Sequence, residues 1–453
     1  MINGENPNAF KSVLSNGLTV IGRQMPSLSS VAMGIWIGAG SRYETAKING
    51  ISHFLEHLLF KGTKKRSGEQ LKQAIEGVGG SFNGFTSEEA TCYLVKVVNK
   101  HTSLGLDVLS DMVKNPLLKE ADIEKERRVI IQEIKMYEDL PSHYVHELFG
   151  ELLWPDHPLG RNIAGTLQSV SSIKRKALLD YWEEYYQTGN SVFSISGNFK
   201  KETILSQIEG YFGKIKKGKR KKFLPAKRKI NHPQIKLNFK ETEQAHLCLG
   251  GIGLSRNHPD RYTLELLSTI LGGNMSSRLF REVREKRSLA YAIRAESHQQ
   301  HDTGAFVVSA GVAPERTKEA LRVILKELKK IKEKNVSPGE LKRAKDFLLG
   351  QLTLSLEDSS SYMLWLGSQQ ITEGRTETFK EVKDCINRVE EQDLKRIASL
   401  IFQNSNLKLA LIGPLKNKEE LFSLLKLQRL PTRTRKLVPK GSVTEKHEKL
   451  SPL

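Results

Sequence analysis

A chain of 453 residues outgrows one ordinary core and implies two to three domains, and its 38% hydrophobic and 27% charged content suits a water-soluble fold. No run approaches the roughly 18 uninterrupted apolar residues of a membrane-spanning helix, so membrane insertion is not expected. The formal charge of +20 invites a nucleic-acid reading, but 214–229 holds ten Lys or Arg with no acid and 429–449 adds a net +5. Those two segments, expected to be solvated, carry 15 of the 20 charges, and specific nucleic-acid binding is not expected.

The opening stretch, "MINGENPNAFKSVLSNGLTV", lacks a basic start followed by an apolar block, so no secretory signal is expected. Cys92, Cys248 and Cys385 are too widely spaced for a disulfide framework or a metal-ligand pair, which points to a reducing compartment. The expected location is the cytoplasm, with the mitochondrial matrix after presequence removal as the alternative. From Ser30, "SVAMGIWIGAGSR" reads as a strand. The next apolar run, "NGISHFLEHLLFKGT", has a helical period. At about 100° per residue Ile51, Phe54, Leu55, Leu58 and Leu59 share one side, while His53, Glu56 and His57 share the other, with the histidines about 40° apart. That polar stripe replaces the Lys and Glu of an ordinary surface helix.

A Gly-rich turn and the strand "TCYLVKVV" follow, then two helices, "HTSLGLDVLSDMVKNP" and "EADIEKERRVIIQEIKMYED". The basic run at 214–229, broken by Gly and Pro, reads as a linker. Beyond it the same order recurs: "QAHLCLGGIGLSR" from Gln244, the apolar helix "RYTLELLSTILGG", the strand "GAFVVSAGV", and the helices "ERTKEALRVILKELKKI" and "GELKRAKDFLLGQLTLSLED". This predicts an α+β protein of two repeated domains, each a mostly antiparallel sheet packed against helices, over 1–213 and 230–428. A basic tail at 429–453 is expected to be disordered. The second copy lacks the histidines and has no acid near Gln351, so the polar stripe looks like a site added to a scaffold.

Histidines at i and i+4 of one helix can meet the same ion, and zinc favours neutral imidazoles and carboxylates. Glu56, from the same face, reaches water beside the metal and suits a general base. The third ligand must come from elsewhere. Glu126 and Glu133, seven apart in "IEKERRVIIQE" with Val129 and Ile130 between them, share a helix face, so one carboxylate can bind the metal and the other can orient a histidine. Glu133 is the expected ligand and Glu126 its partner behind His57 or His53. A given H-x-x-E-H pattern arises by chance about once in a hundred such chains, so this motif needs context.

That context comes from a resemblance. "HFLEH", "GSRYE", "FLEHLLFKGT", "GGSFNGFTSEEATCY", "HPLGRNIAGT" and "SSRLFREVREKRSLAY" resemble the pitrilysin/insulinase metallopeptidases, in the branch of mitochondrial processing peptidase and its bacterial relatives. The likeness runs to about residue 428. It implies Zn2+ held by His53, His57 and Glu133, water activated by Glu56, and an extended peptide paired along an edge strand at Asn83, Gly84 and Phe85. Gly84 stands where relatives often carry Ala, and little consequence is expected. Arg284 and Tyr291 match the family's Arg/Tyr pair, which binds substrate and stabilises the oxyanion. A chain of this size makes half of the family's clamshell, so the expected partners are an unfolded or extended peptide and a second copy in a homodimer, or a paralogous subunit. Two rivals are a non-catalytic scaffold subunit of the same fold and a basic binder of anionic surfaces or nucleic acid.

Overall fold

A computed structural model describes residues 8–227 and 232–427. The tail at 429–453 and the last two linker residues lie outside the described residues. The N-terminal repeat runs β1 (Ala9–Val13), β2 (Thr19–Gln24), β3 (Ser30–Ile37), α1 (Ile51–Leu59), α2 (Gly68–Glu76), β4 (Ser81–Thr86), β5 (Thr91–Val98), α3 (Thr102–Lys114), α4 (Glu120–Asp139), α5 (Pro141–Leu153), α6 (Leu167–Ser172), α7 (Arg175–Tyr185), β6 (Ser191–Gly197) and α8 (Lys201–Phe212). The C-terminal repeat runs β7 (Gln234–Phe239), β8 (Ala245–Ile252), α9 (Arg261–Gly272), β9 (Ala290–Gln299), β10 (Gly304–Val312), α10 (Thr317–Glu333), α11 (Pro338–Ser355), α12 (Ser359–Glu373), α13 (Phe379–Arg388), α14 (Glu391–Ile401), β11 (Lys408–Gly413) and α15 (Lys418–Leu424).

Strand order is β1-β2-β6-β3-β5-β4 in the first sheet and β7-β11-β8-β10-β9 in the second. Without β1 the two orders coincide, and each contains one parallel pair, β2 with β6 and β7 with β11. The other neighbours pair antiparallel. This is the mixed α+β repeat expected from the element order. In both sheets the last strand, β4 or β9, lies at an open edge.

The central strands are buried along their whole length, β3 from Val31 to Ile37 and β8 through Leu247–Ile252. Strands reading as unbroken apolar runs must be covered on both faces. One cover is local: α1, α3 and α8 pack on the first sheet, burying Phe54, Leu55, Leu109 and Ile208. The other cover is exchanged between repeats. From the first half, α5 lays Val145, Leu148, Phe149 and Leu153 against Cys248, Ile252, Val307 and Ala410 of the second sheet. From the second half, α12 lays Tyr362, Leu366 and Ile371 against Ile21, Trp36, Cys92 and Val192 of the first. Burying each such side chain contributes about 1.5–3 kcal/mol, so the exchange ties the two repeats firmly together.

The linker departs from the solvated run expected of it. Its charged heads at Lys219 and Lys222 are exposed, but the Phe223 ring lies 3.9 Å from the Arg42 guanidinium and packs edge-on to Tyr43. Arg42 itself is fully buried, with Nη1 2.6 Å from Glu89 Oε1 and Nη2 paired with Asp302 of the other repeat. A guanidinium taken out of water needs such partners, and a flat ring over its face is one of them. Among the described residues, no helix is long and apolar enough to cross a membrane.

Candidate metal centre

Helix α1 begins where Gly50 adopts φ +94, a left-handed turn that leaves no room for a Cβ against the Ala164 carbonyl, 2.5 Å away. The first turn of a helix has unpaired N–H groups. Here they are met by Glu44, whose buried carboxylate accepts from Gly50 N at 2.7 Å and Ser52 N at 2.9 Å. The start of the helix is thereby pinned. Ile51, Phe54, Leu55, Leu58 and Leu59 go into the core, as their period predicts, so His53, Glu56 and His57 project the other way, toward α4 and β4.

There they meet Glu133. Its Oε2 lies 3.8 Å from His53 Nε2 and 3.7 Å from His57 Nε2, and the three ligand atoms fall within 4.8 Å of one another. One turn-pair earlier on α4, Glu126 Oε2 lies 3.2 Å from His57 Nδ1, and its Oε1 is 2.7 Å from Lys61 Nζ. With Nδ1–H donating to this carboxylate, His57 is held in the tautomer that leaves the Nε2 lone pair facing the centre. Ile130, between the two acids, is fully buried, whereas Val129 is turned outward and half exposed.

Burial and the neighbouring His57 push His53 down to about 4, so its imidazole is neutral and a lone pair is available. Burial opposes charge on His57 too, but the hydrogen bond to Glu126 and the Glu56 and Glu133 carboxylates outweigh it and raise its pKa. Burial would raise the Glu126 carboxyl as well; the hydrogen bonds to His57 and Lys61 overcome that and hold it low. Glu56 is raised chiefly by burial, which makes it a stronger base than an exposed carboxylate. Thr86 Oγ1 donates to Glu56 Oε2 at 3.0 Å, leaving Oε1 free.

Two imidazole nitrogens and one carboxylate oxygen at this spacing form the donor set of a tetrahedral zinc site with its fourth position open. The residues therefore fit a zinc ion. His53 Nδ1 is buried without a hydrogen-bond partner, so Glu126 steadies only one of the two rings.

The centre opens into a chamber of about 680 Å³ between the repeats. Gly84, Phe85 and Thr86 of the edge strand β4 line it; Asn83 does not, being exposed with Oδ1 accepting from Gly84 N. A Cβ on Gly84 would lie 3.1 Å from Glu56 Cγ, Glu56 Oε1 and the Phe60 ring, so an alanine here would make one of those side chains give by a few tenths of an ångström. Arg284 and Tyr291 sit elsewhere. The Arg284 guanidinium stacks 5.0 Å from the Tyr291 ring, Tyr291 is 75% exposed, and neither lines the chamber. His298, seven residues along β9, does line it, which places Tyr291 about 23 Å up the strand from that wall.

Several residues escaped the sequence reading. Glu44 pins α1, Thr86 orients Glu56 and Lys61 supports Glu126. His143, His146 and Glu147, at i, i+3 and i+4 of α5, line the chamber beside Glu133. The signal for these last was "HYVHE" on the helix directly after the ligand helix; Glu44 lies in "GSRYE", but its partners, two backbone N–H groups and the Asn49 amide, follow no spacing rule.

Comparison with known proteins follows the same lines. Residues 19–167 match the family described as Insulinase (Peptidase family M16), and residues 172–348 match Peptidase M16 inactive domain. The chain is 37% identical over 400 residues to the uncharacterized zinc protease YmxG of Bacillus subtilis, covering 88% of this chain and 97% of that one. It is 35% identical over 415 residues to an uncharacterized zinc protease of Streptomyces coelicolor, covering 90% of each. In fold it is similar to a protease from Helicobacter pylori, with a TM-score of 0.85 at 23% identity over 90% of this chain and 99% of that one. A structure from Pseudomonas fluorescens described as a peptidase M16 inactive domain gives 0.83 at 18% identity, over 90% and 98%. With relatives this similar over nearly their full length, and with both family segments in sequence, the chain belongs to the insulinase family, peptidase family M16.

Proposed function

We propose that the protein is a zinc endopeptidase that hydrolyses extended or unfolded peptides, a processing-type peptidase working in the cytoplasm. The observation that carries this is the convergence of His53, His57 and Glu133 within 4.8 Å, with Glu56 held beside them by Thr86. Several relatives are named zinc proteases. Zinc bound by the three ligands supplies Lewis acidity that eases deprotonation of water and polarises a carbonyl. Glu56 Oε1 then accepts the proton from the attacking water and delivers it to the leaving amine. The peptide lies along the open edge of β4, where main-chain hydrogen bonds accept many sequences, and Gly84 lets it approach the carboxylate.

Arg284 and Tyr291 bind substrate and the developing oxyanion in this reading, but from a second copy. Their stacked, exposed position away from their own chamber supports that arrangement. The protein is then a homodimer with two composite sites. The scaffold reading draws on the C-terminal half, which matches an inactive domain and has no metal cluster among the described residues. The complete donor set in the N-terminal half favours catalysis.

The test is zinc content, fluorogenic-peptide hydrolysis and mass in solution for the purified wild type beside Glu56→Gln. One zinc per chain, hydrolysis only by the wild type and a dimer mass are expected. Equal hydrolysis by both proteins would overturn the catalytic assignment, and full activity of a monomer would overturn the composite site.

A further inference from the structure

A second cavity of about 630 Å³ opens on the far side of β4, roofed by α12. Phe85, Glu88, His298 and Gln300 line both this cavity and the metal chamber, so the two spaces adjoin at the end of the edge strand. Its lining mixes aromatic and apolar side chains with polar ones. Trp36 packs edge-on to Phe85 with centroids 5.6 Å apart, and Leu364 and Trp365 face them from α12. The charges beneath the cavity balance, because Glu89 and Asp302 together pair with Arg42 and Arg256. The Glu88 carboxylate, at the junction, has no ion pair among the described residues.

One polar atom at this junction is unexplained. Gln300 is only 8% exposed, and its Oε1 is buried with no donor beside it. A buried acceptor left unpaired costs free energy, and such orphans in a native structure call for a missing partner. Gln300 N and O are already used, by Thr303 O and Arg256 N. Gln300 as a residue borders both spaces, so a turn of its side chain would bring Oε1 to a donor entering from either one. The backbone N–H of a peptide leaving β4 is such a donor, and the adjoining cavity has room for a bulky side chain against Trp36, Phe85 and Trp365.

Resting on the peptidase reading above, we infer that this cavity is a second substrate subsite, taking a large apolar or aromatic side chain of the bound peptide while the Gln300 carboxamide accepts a peptide N–H. Thr86, which ends β4, touches Glu56, and Glu88 follows in the tight turn that Ser87 N closes by donating to Ala90 O. The side chain concerned therefore belongs to a residue that has run past the end of β4, roughly two to four positions from the scissile bond. The unpaired Glu88 carboxylate disfavours an acidic residue there.

The experiment uses quenched peptides with one common core, in which glycines two to four positions from the scissile bond on either side are replaced singly by Phe. kcat/KM is measured with the wild type, and affinity is measured by anisotropy of labelled peptides on Glu56→Gln protein. Filling a pocket that fits an extra apolar group discriminates by tenfold or more. One Phe position should therefore raise both kcat/KM and affinity about tenfold over Gly. Ser368→Phe, which fills the cavity from α12, should bring that Phe-to-Gly ratio close to one; a ratio taken within one preparation is insensitive to loss of folded protein. Gln300→Ala should weaken affinity for all the longer peptides about three- to tenfold. Equal ratios in wild type and Ser368→Phe, or no Phe preference at any position, would overturn the subsite. If the wild type cleaves no peptide the peptidase reading fails on its own, and the affinity ratio still decides the subsite.

Discussion

The two repeats share a topology strand for strand, yet only one carries a site, and setting α1 beside α9 shows how little separates them. Aligning buried positions puts Leu266, Leu267, Ile270 and Leu271 where α1 has Phe54, Leu55, Leu58 and Leu59. Glu265, Ser268 and Thr269 then stand in place of His53, Glu56 and His57. Ser268 and Thr269 donate back to the carbonyls of Leu264 and Glu265 at 3.0 Å, so both hydroxyls are spent on their own helix. On the partner helix, matching Leu341 to Ile123 puts Ala344 and Gln351 in place of Glu126 and Glu133. The apolar positions persist, no histidine remains, and the one carboxylate left, Glu265, accepts from Ser297 Oγ. The fold therefore needs the buried face of this helix and not its polar face.

Breaking the site should expose that division. The largest effect is expected from His53→Ala or Glu133→Ala, which remove a ligand: zinc and peptide hydrolysis should both vanish, as read by metal analysis and a fluorogenic assay. Glu56→Gln keeps all three ligands, so zinc should remain while hydrolysis falls about 10²- to 10⁴-fold. Changes on the buried face act differently. Phe54→Ala and its counterpart Leu266→Ala should each cost about 2–5 kcal/mol in chemical denaturation, one beside the site and one far from it. If Phe54→Ala alone were destabilising, the shared scaffold would not be the common element. Glu126→Gln should weaken zinc binding about 10- to 100-fold in a chelator competition, with folding unchanged. Least of all, Gly84→Ala should lower kcat a few-fold with zinc retained, because the added methyl must press on Glu56 or Phe60 at 3.1 Å. An unchanged kcat would mean that Phe60 gives way instead.

Much of the site was legible because helical geometry is local. The spacing of His53 and His57 already put both rings on one side of a helix, and seven residues between Glu126 and Glu133 put both carboxylates on one face of another. The structure then brings these faces together, with Glu126 behind His57. Groups acting through the backbone were not legible: Glu44 caps α1 from seven residues before the helix begins, and "GSRYE", though part of the resemblance, does not disclose that role. The linker misled for a related reason. Its lysines are solvated as composition implies, but one residue among them, Phe223, meets an arginine buried 181 positions earlier in the chain.

By itself the sequence determined the repeat, the strands and helices, and which side of α1 would be buried, since these follow from the period of apolar residues along single elements. Only the tertiary structure decided that α5 and α12 change places between sheets, that the chamber lies between the repeats, and that Gly84 stands against Glu56. Those facts depend on contacts between segments far apart in the chain, where periodicity carries no information and close packing alone selects the neighbour.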